Sequence, residues 1–85
     1  MPRFFIDTDD GDRLDRDEEG YDLSDSAAAR IEAIGALPDL ARSQIPDGDR
    51  RTFTVRVRDA DGRLVYEATL TLEGRWLEPE RTAGT

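Results

Sequence analysis

From Thr52 to Arg58 and again from Leu64 to Leu72 the chain alternates apolar and polar residues, and Asp59-Ala60-Asp61-Gly62 separates the two runs. Alternation puts every second side chain on one face of a strand, and Asp-Gly between two such runs is a strong hairpin signal. With Asp61-Gly62 as a two-residue turn, Phe53 faces Leu70, Val55 faces Ala68 and Val57 faces Tyr66, all on one face. The opposite face pairs Arg56 with Glu67, Thr54 with Thr69 and Thr52 with Thr71. Each is a favourable cross-strand type. A slip of one residue would turn the apolar set outward, so the register is well specified.

An isolated hairpin is marginal in water, so this apolar face needs a cover. The stretch from Asp25 to Gln44 predicts one. Ala27, Ala28, Ile31, Ile34, Leu37, Ala41 and Ile45 recur at the spacings of a half-buried helix. Ser24, Asp25 and Ser26 are all good N-cap types. Pro38 predicts a kink or a helix in two pieces, and Ile45-Pro46-Asp47-Gly48 predicts its end.

The first 23 residues supply a second hairpin. Arg3 to Thr8 reads as a strand, with Phe4 and Ile6 on one face and Phe5 on the other. Asp10-Gly11 marks a turn, and Arg13 to Arg16 returns as a short acidic strand with Leu14 as its apolar anchor. Gly20 supplies a backbone conformation that a side chain would hinder. Tyr21 to Leu23 is a short extended piece leading to the helix, and Trp76 and Leu77 are expected to fold back onto the rim of the core. The expected architecture is α+β, β-β-α-β-β, a small antiparallel sheet with one helix packed on one face. The first strand is the natural centre and the acidic second strand an edge. Residues 1–77 form one domain and 78–85 a flexible C-terminal tail.

The residues that are missing narrow the chemistry. There is no histidine, no cysteine and no lysine; all twelve basic residues are arginine. That removes the usual general base, the Ser-His and Cys-His nucleophiles, thiolate metal sites, Schiff-base chemistry and the P-loop lysine. Residues 7–25 contain ten acids and two arginines, so this segment alone carries the net charge of −8. An EF-hand loop does not fit there. With Gly11 at the glycine position, Ile6 and Thr8 fall on the first ligand positions. Starting from Asp7 instead puts Asp12 where glycine belongs.

Several motifs of this chain together resemble a known family. They are Met-Pro-Arg-Phe-Phe at 1–5, Asp10-Gly11, Asp17-Glu18-Glu19-Gly20, Leu23 with Asp25, Ala28-Ala29-Arg30, and the hairpin that begins Val55-Arg56-Val57-Arg58. The chain is similar over residues 1–77 to the small bacterial domain of unknown function 6894. Pro38 departs from the family pattern, in which the helix reads through. The resemblance implies a bacterial, proteobacterial domain and carries over no activity, cofactor or catalytic residue. A likeness of layout only extends to antitoxin-type domains of the HicB kind.

The expected function is therefore a non-catalytic protein-interaction or regulatory module, cytoplasmic and without cofactor or metal. Its partner is another protein or a second copy in a homodimer, engaged through a sheet edge or the acidic end. The residues expected to bind are Asp17, Glu18, Glu19 and Asp22. Net acidity argues against direct binding of nucleic acid or membrane, and no apolar run is long enough to span a bilayer. Two alternatives stand beside this reading: an acidic nucleic-acid mimic, antitoxin-like, that binds a basic partner, and a weak divalent-cation domain. Arg56 and Arg58 are expected on a plain solvated sheet face.

Overall fold

The computed structural model describes residues 2–44 and 48–78. Its elements are β1 (Arg3–Asp9), β2 (Leu14–Asp15), β3 (Tyr21–Asp22), α1 (Ser26–Gln44), β4 (Arg50–Arg58) and β5 (Leu64–Glu73). All strand pairs are antiparallel, and the sheet order is β2-β1-β4-β5, with β3 also on β1. The α+β reading therefore holds, with one strand more than expected. The extended piece at Tyr21 joins the sheet, pairing Tyr21 with Phe4 and Asp22 with Arg3. The apolar first strand is central and the acidic β2 lies at an edge.

The β4–β5 register is the expected one from Arg50–Glu73 through Val57–Tyr66. The turn differs. Asp59 N–H donates to the Arg63 carbonyl at 2.9 Å, and Gly62 N–H to the Asp59 carbonyl at 3.0 Å. The loop therefore holds three residues, Ala60 to Gly62, with Gly62 at φ +86°. The Asp59 carboxylate is the cause: it accepts from the N–H groups of Asp61 and Arg63, each at 2.9 Å. A bulge at Val65 then restores the register, since Arg58 faces Leu64 while Val57 faces Tyr66.

Phe4 and Ile6 of β1 and Phe53, Val55 and Val57 of β4 form the sheet's contribution to the core. The helix answers with Ala29, Ala33, Leu37 and Ala41. This corrects the expected stripe, since Ile31 is 67 % exposed and Ala27 and Ile34 are exposed too. The reason is volume: facing strands that carry phenylalanine, valine and isoleucine admit small helix residues, and a close helix then leaves the isoleucines outside. Asp25 is the N-cap, its carboxylate accepting from Ala28 N–H at 2.9 Å. The helix runs unbroken through Pro38, which sits on the exposed side.

Leu14 is no anchor, because a two-residue β2 at the sheet edge leaves it exposed. Trp76 and Leu77 do not return to the core rim either. They are 66 % and 84 % exposed, since the core is already closed by the helix and the hairpin. The expected helix end at Ile45 to Asp47, and all of the expected tail except Glu78, fall outside the described residues.

Candidate functional site

The two edges of the sheet are built differently. On the β1 side the hairpin turns at Gly11-Asp12, with Gly11 at φ +97° and Asp10 N–H bonded to the Arg13 carbonyl. The Asp10 carboxylate accepts from Asp12 N–H and Arg13 N–H. Those two bonds hold its carboxyl below the usual range. Between the β2 contacts at Thr8 and Asp9 and the β3 contacts at Arg3 and Phe4, β1 has no strand partner on this side. Asp17 fills the gap. Its carboxylate accepts from Ile6 N–H at 3.0 Å and also from Glu19 N–H and Gly20 N–H. Gly20 allows the loop to lie this close, since a Cβ there would come within 2.9 Å of Arg3 Cγ and 3.0 Å of the Phe5 ring, at φ +80°.

Beneath this loop lies a network that the sequence did not announce. Arg58 clamps Asp7 with a fork, Nε to Oδ2 at 2.8 Å and Nη2 to Oδ1 at 3.0 Å. Nη2 also donates to the Asp17 carbonyl at 2.9 Å, and Asp17 N–H donates to Asp7 Oδ1 at 2.9 Å. The guanidinium sits over the Phe5 ring, 4.9 Å from its centroid. The Asp7 and Arg58 side chains are only 10 % and 11 % exposed, so Arg58 does not stand on a solvated face. Burial pushes the Asp7 carboxyl up, but the Arg58 hydrogen bonds, the Asp17 N–H and the positive charges of Arg58 and Arg16 outweigh it and hold it below the usual range. Burial likewise opposes ionisation of Asp17, and the N–H groups of Ile6, Gly20 and Glu19 overcome it together with the repulsion from Asp7. The bond to Asp7 raises the pKa of Arg58 further.

The four residues expected to bind a partner thus have different settings. Asp17 is occupied in bracing the fold. Asp22 is exposed and bonded to Arg3 at 3.2 Å. Arg3 also donates to the Glu19 carbonyl. Glu18 and Glu19 are exposed, and neither side chain has a bonded or ionic partner among the described residues. Among the described residues no three acidic side chains converge as metal ligands. No described helix is long and apolar enough to cross a membrane. The depressions are shallow. One of about 440 Å³ lies beside Tyr21, Ile31, Gly35 and Asp39, and one of about 310 Å³ beside Gly11, Asp12 and Arg51.

The opposite edge is the ten-residue β5, and no described strand pairs with its outer side. Of the nine large apolar side chains exposed among the described residues, five lie on β5 or just beyond it: Leu64, Val65, Leu70, Trp76 and Leu77. Length and alternation were visible in the sequence, but which strand would be left at the edge was not.

Shallow surfaces, one sealed edge and one open apolar edge define a small α+β domain whose distinctive surface is a sheet edge. The chain belongs to the family described as a domain of unknown function, DUF6894, whose model matches residues 3–71. No curated protein matches the chain, and no solved structure does.

Proposed function

We propose that this domain is a non-catalytic protein-interaction module that binds by β-strand addition along β5. The observation that carries the reading is the contrast between the two edges. The β1 edge is blunted by two-residue strands, by acidic residues and by the Asp17 carboxylate, all devices that discourage pairing. Residues 66–72 of β5 contain no proline and one charge, Glu67, which Arg56 neutralises at 2.6 Å. Between the bulge at Val65 and Glu73 this leaves seven regular, nearly neutral edge residues, a template for an added strand, with backbone bonds for affinity and side-chain contacts for specificity.

The test is affinity capture from a bacterial lysate with the wild type and Thr69→Pro side by side. Proline on the outward side of an edge strand removes a docking donor and spares the internal ladder. The reading expects proteins, its own chain included, retained by the wild type and lost by Thr69→Pro. Identical or empty captures would overturn it.

A second reading rests on Glu18 and Glu19, whose side chains are exposed and have no bonded or ionic partner among the described residues. They favour contact with a basic partner, as an acidic mimic of nucleic acid would make. That contact would weaken steeply with salt and disappear in Glu18→Gln with Glu19→Gln.

A further inference from the structure

We infer that the strand added to β5 is β5 of a second copy of this chain, antiparallel and with Thr69 on the two-fold axis; this rests on the edge-binding reading above. The backbone sets which groups are available. Hydrogen bonds from Asp59 N–H to Arg63 and from Gly74 N–H to Asp49 bracket the β4–β5 ladder. Antiparallel bonding alternates. Counting back from Gly74, Tyr66, Ala68, Leu70 and Leu72 turn their polar groups to β4, while Glu67, Thr69, Thr71 and Glu73 turn theirs outward.

The register follows from side chains and charge. Only residues of like parity can face each other if the apolar side of both strands is to stay on the helix side. Centring the axis on Leu70 would set Glu67 against Glu73 of the second copy, a like-charge pair that destabilises. Centring it on Ala68 would run Thr71 into the bulge residue Val65 and shorten the ladder. Centring it on Thr69 opposes no like charges and uses the whole regular stretch from Tyr66 to Leu72. Tyr66 then faces Leu72 of the second copy, Ala68 faces Leu70, and Glu67 faces Thr71. Each of the pairs 69–69, 67–71 and 71–67 closes two backbone bonds.

Two further features favour a second copy over another protein. The exposed apolar groups stand at opposite ends of β5, with Leu64 and Val65 at one and Trp76 and Leu77 at the other. Antiparallel self-pairing lays the first group of each copy beside the second group of its mate, so each end covers the other. In addition, the sheet order places β2 and the acidic hairpin on the edge away from β5. Two chains of charge −8 can therefore join with their acidic segments at the far ends of one continuous sheet.

Sedimentation equilibrium of the full chain tests the mass, and a mixed-cysteine experiment tests the register. The chain has no native cysteine. Ala68 and Leu70 of opposite copies would form a non-hydrogen-bonded pair with Cα atoms about 4.5 Å apart, within reach of a disulfide. A tagged Ala68→Cys chain mixed with untagged Leu70→Cys should, on mild oxidation, give mainly the mixed disulfide. The expected mass is twice 9.6 kDa for the wild type and 9.6 kDa for Thr69→Pro, with unchanged far-ultraviolet circular dichroism. Should Thr69→Pro fail to fold, the crosslink still decides. A monomer at every concentration, a dimer that survives in folded Thr69→Pro, or a predominance of 68–68 or 70–70 disulfides overturns the inference. A monomer that still shows edge-dependent capture sinks the inference alone, and a monomer without it sinks the edge reading as well.

Discussion

Replacing Arg58 by methionine should cost a large share of the stability of this domain. A chain of 85 residues is held by about 4–13 kcal/mol in all. Arg58→Met keeps the length and apolar stem but strands Asp7 as a buried carboxylate without its cation, and removes a donor to the Asp17 carbonyl. Breaking a buried pair from one side costs about 3–5 kcal/mol. The control is Arg56→Met. The Arg56–Glu67 contact is shorter, at 2.6 Å against 2.8 Å, yet its side chains are 35 % and 56 % exposed. Solvent screening leaves such a pair worth about 0.2–1 kcal/mol, so exposure and not distance decides the ranking. Asp7→Leu combined with Arg58→Met removes both charges and should recover much of the loss, because an apolar pair replaces a desolvated one. The assay is urea unfolding followed by far-ultraviolet circular dichroism, since Trp76 is exposed and a poor fluorescent reporter. Equal costs for Arg58→Met and Arg56→Met, or a double variant weaker than Arg58→Met alone, would refute the reasoning.

Three further outcomes follow from the fold. Ala33→Leu should destabilise by about 1–3 kcal/mol despite adding apolar bulk, because Ala33 is fully buried against the sheet; Ile31→Ala should change little, and thermal melts of both variants check the pair. Gly20→Ala should lower stability by more than the ~1–2 kcal/mol of its left-handed backbone alone, while Gly62→Ala, at similar φ but in open space, should show only that smaller cost in the same melts. Finally, Asp7 and Asp17 are depressed in the folded state. Their contribution is complete above the unfolded carboxylate pKa of about 3.9 and is lost as pH falls through the lower folded values. The urea midpoint should therefore hold from neutral pH to about 5 as far as these groups are concerned, then fall, and fall less steeply in Asp17→Asn.

What could be read from the chain was whatever depends on neighbours a few residues apart. The β4–β5 register was legible because alternation on two runs admits one apolar match, and a cap within Ser24-Asp25-Ser26 because caps are local, although only the bond to Ala28 N–H singles out Asp25. The turn between them was misjudged because the Asp59 side chain, and not the Asp61-Gly62 pair alone, sets the loop. The helix face was misjudged because composition favours isoleucine as core, whereas the space left by Phe4, Phe53 and Val55 favours alanine. The Asp7–Arg58 fork joins residues far apart in the chain, and only the β1–β4 pairing brings them together. A faint sign existed, an aspartate directly after Phe4-Phe5-Ile6, where a charge inside an apolar strand calls for a partner. Of the acidic residues singled out for binding, Asp17 proved to brace the fold, and no local pattern distinguishes it from Glu18 and Glu19.

The Asp17 carboxylate has a kinetic consequence as well. The amide of Ile6 is closed by a loop side chain and not by a neighbouring strand, although the residue is buried in the centre of the sheet. Its exchange with deuterium should therefore follow local opening of the loop around Asp17, while the amides of Val55 and Val57 wait for global unfolding. Acidification that protonates Asp17 should lower the protection of the Ile6 amide, taken relative to its intrinsic exchange rate at each pH, before it lowers that of the β4 amides. One backbone position deep in the sheet thus serves as a clock for the acidic hairpin, independent of the rest of the domain.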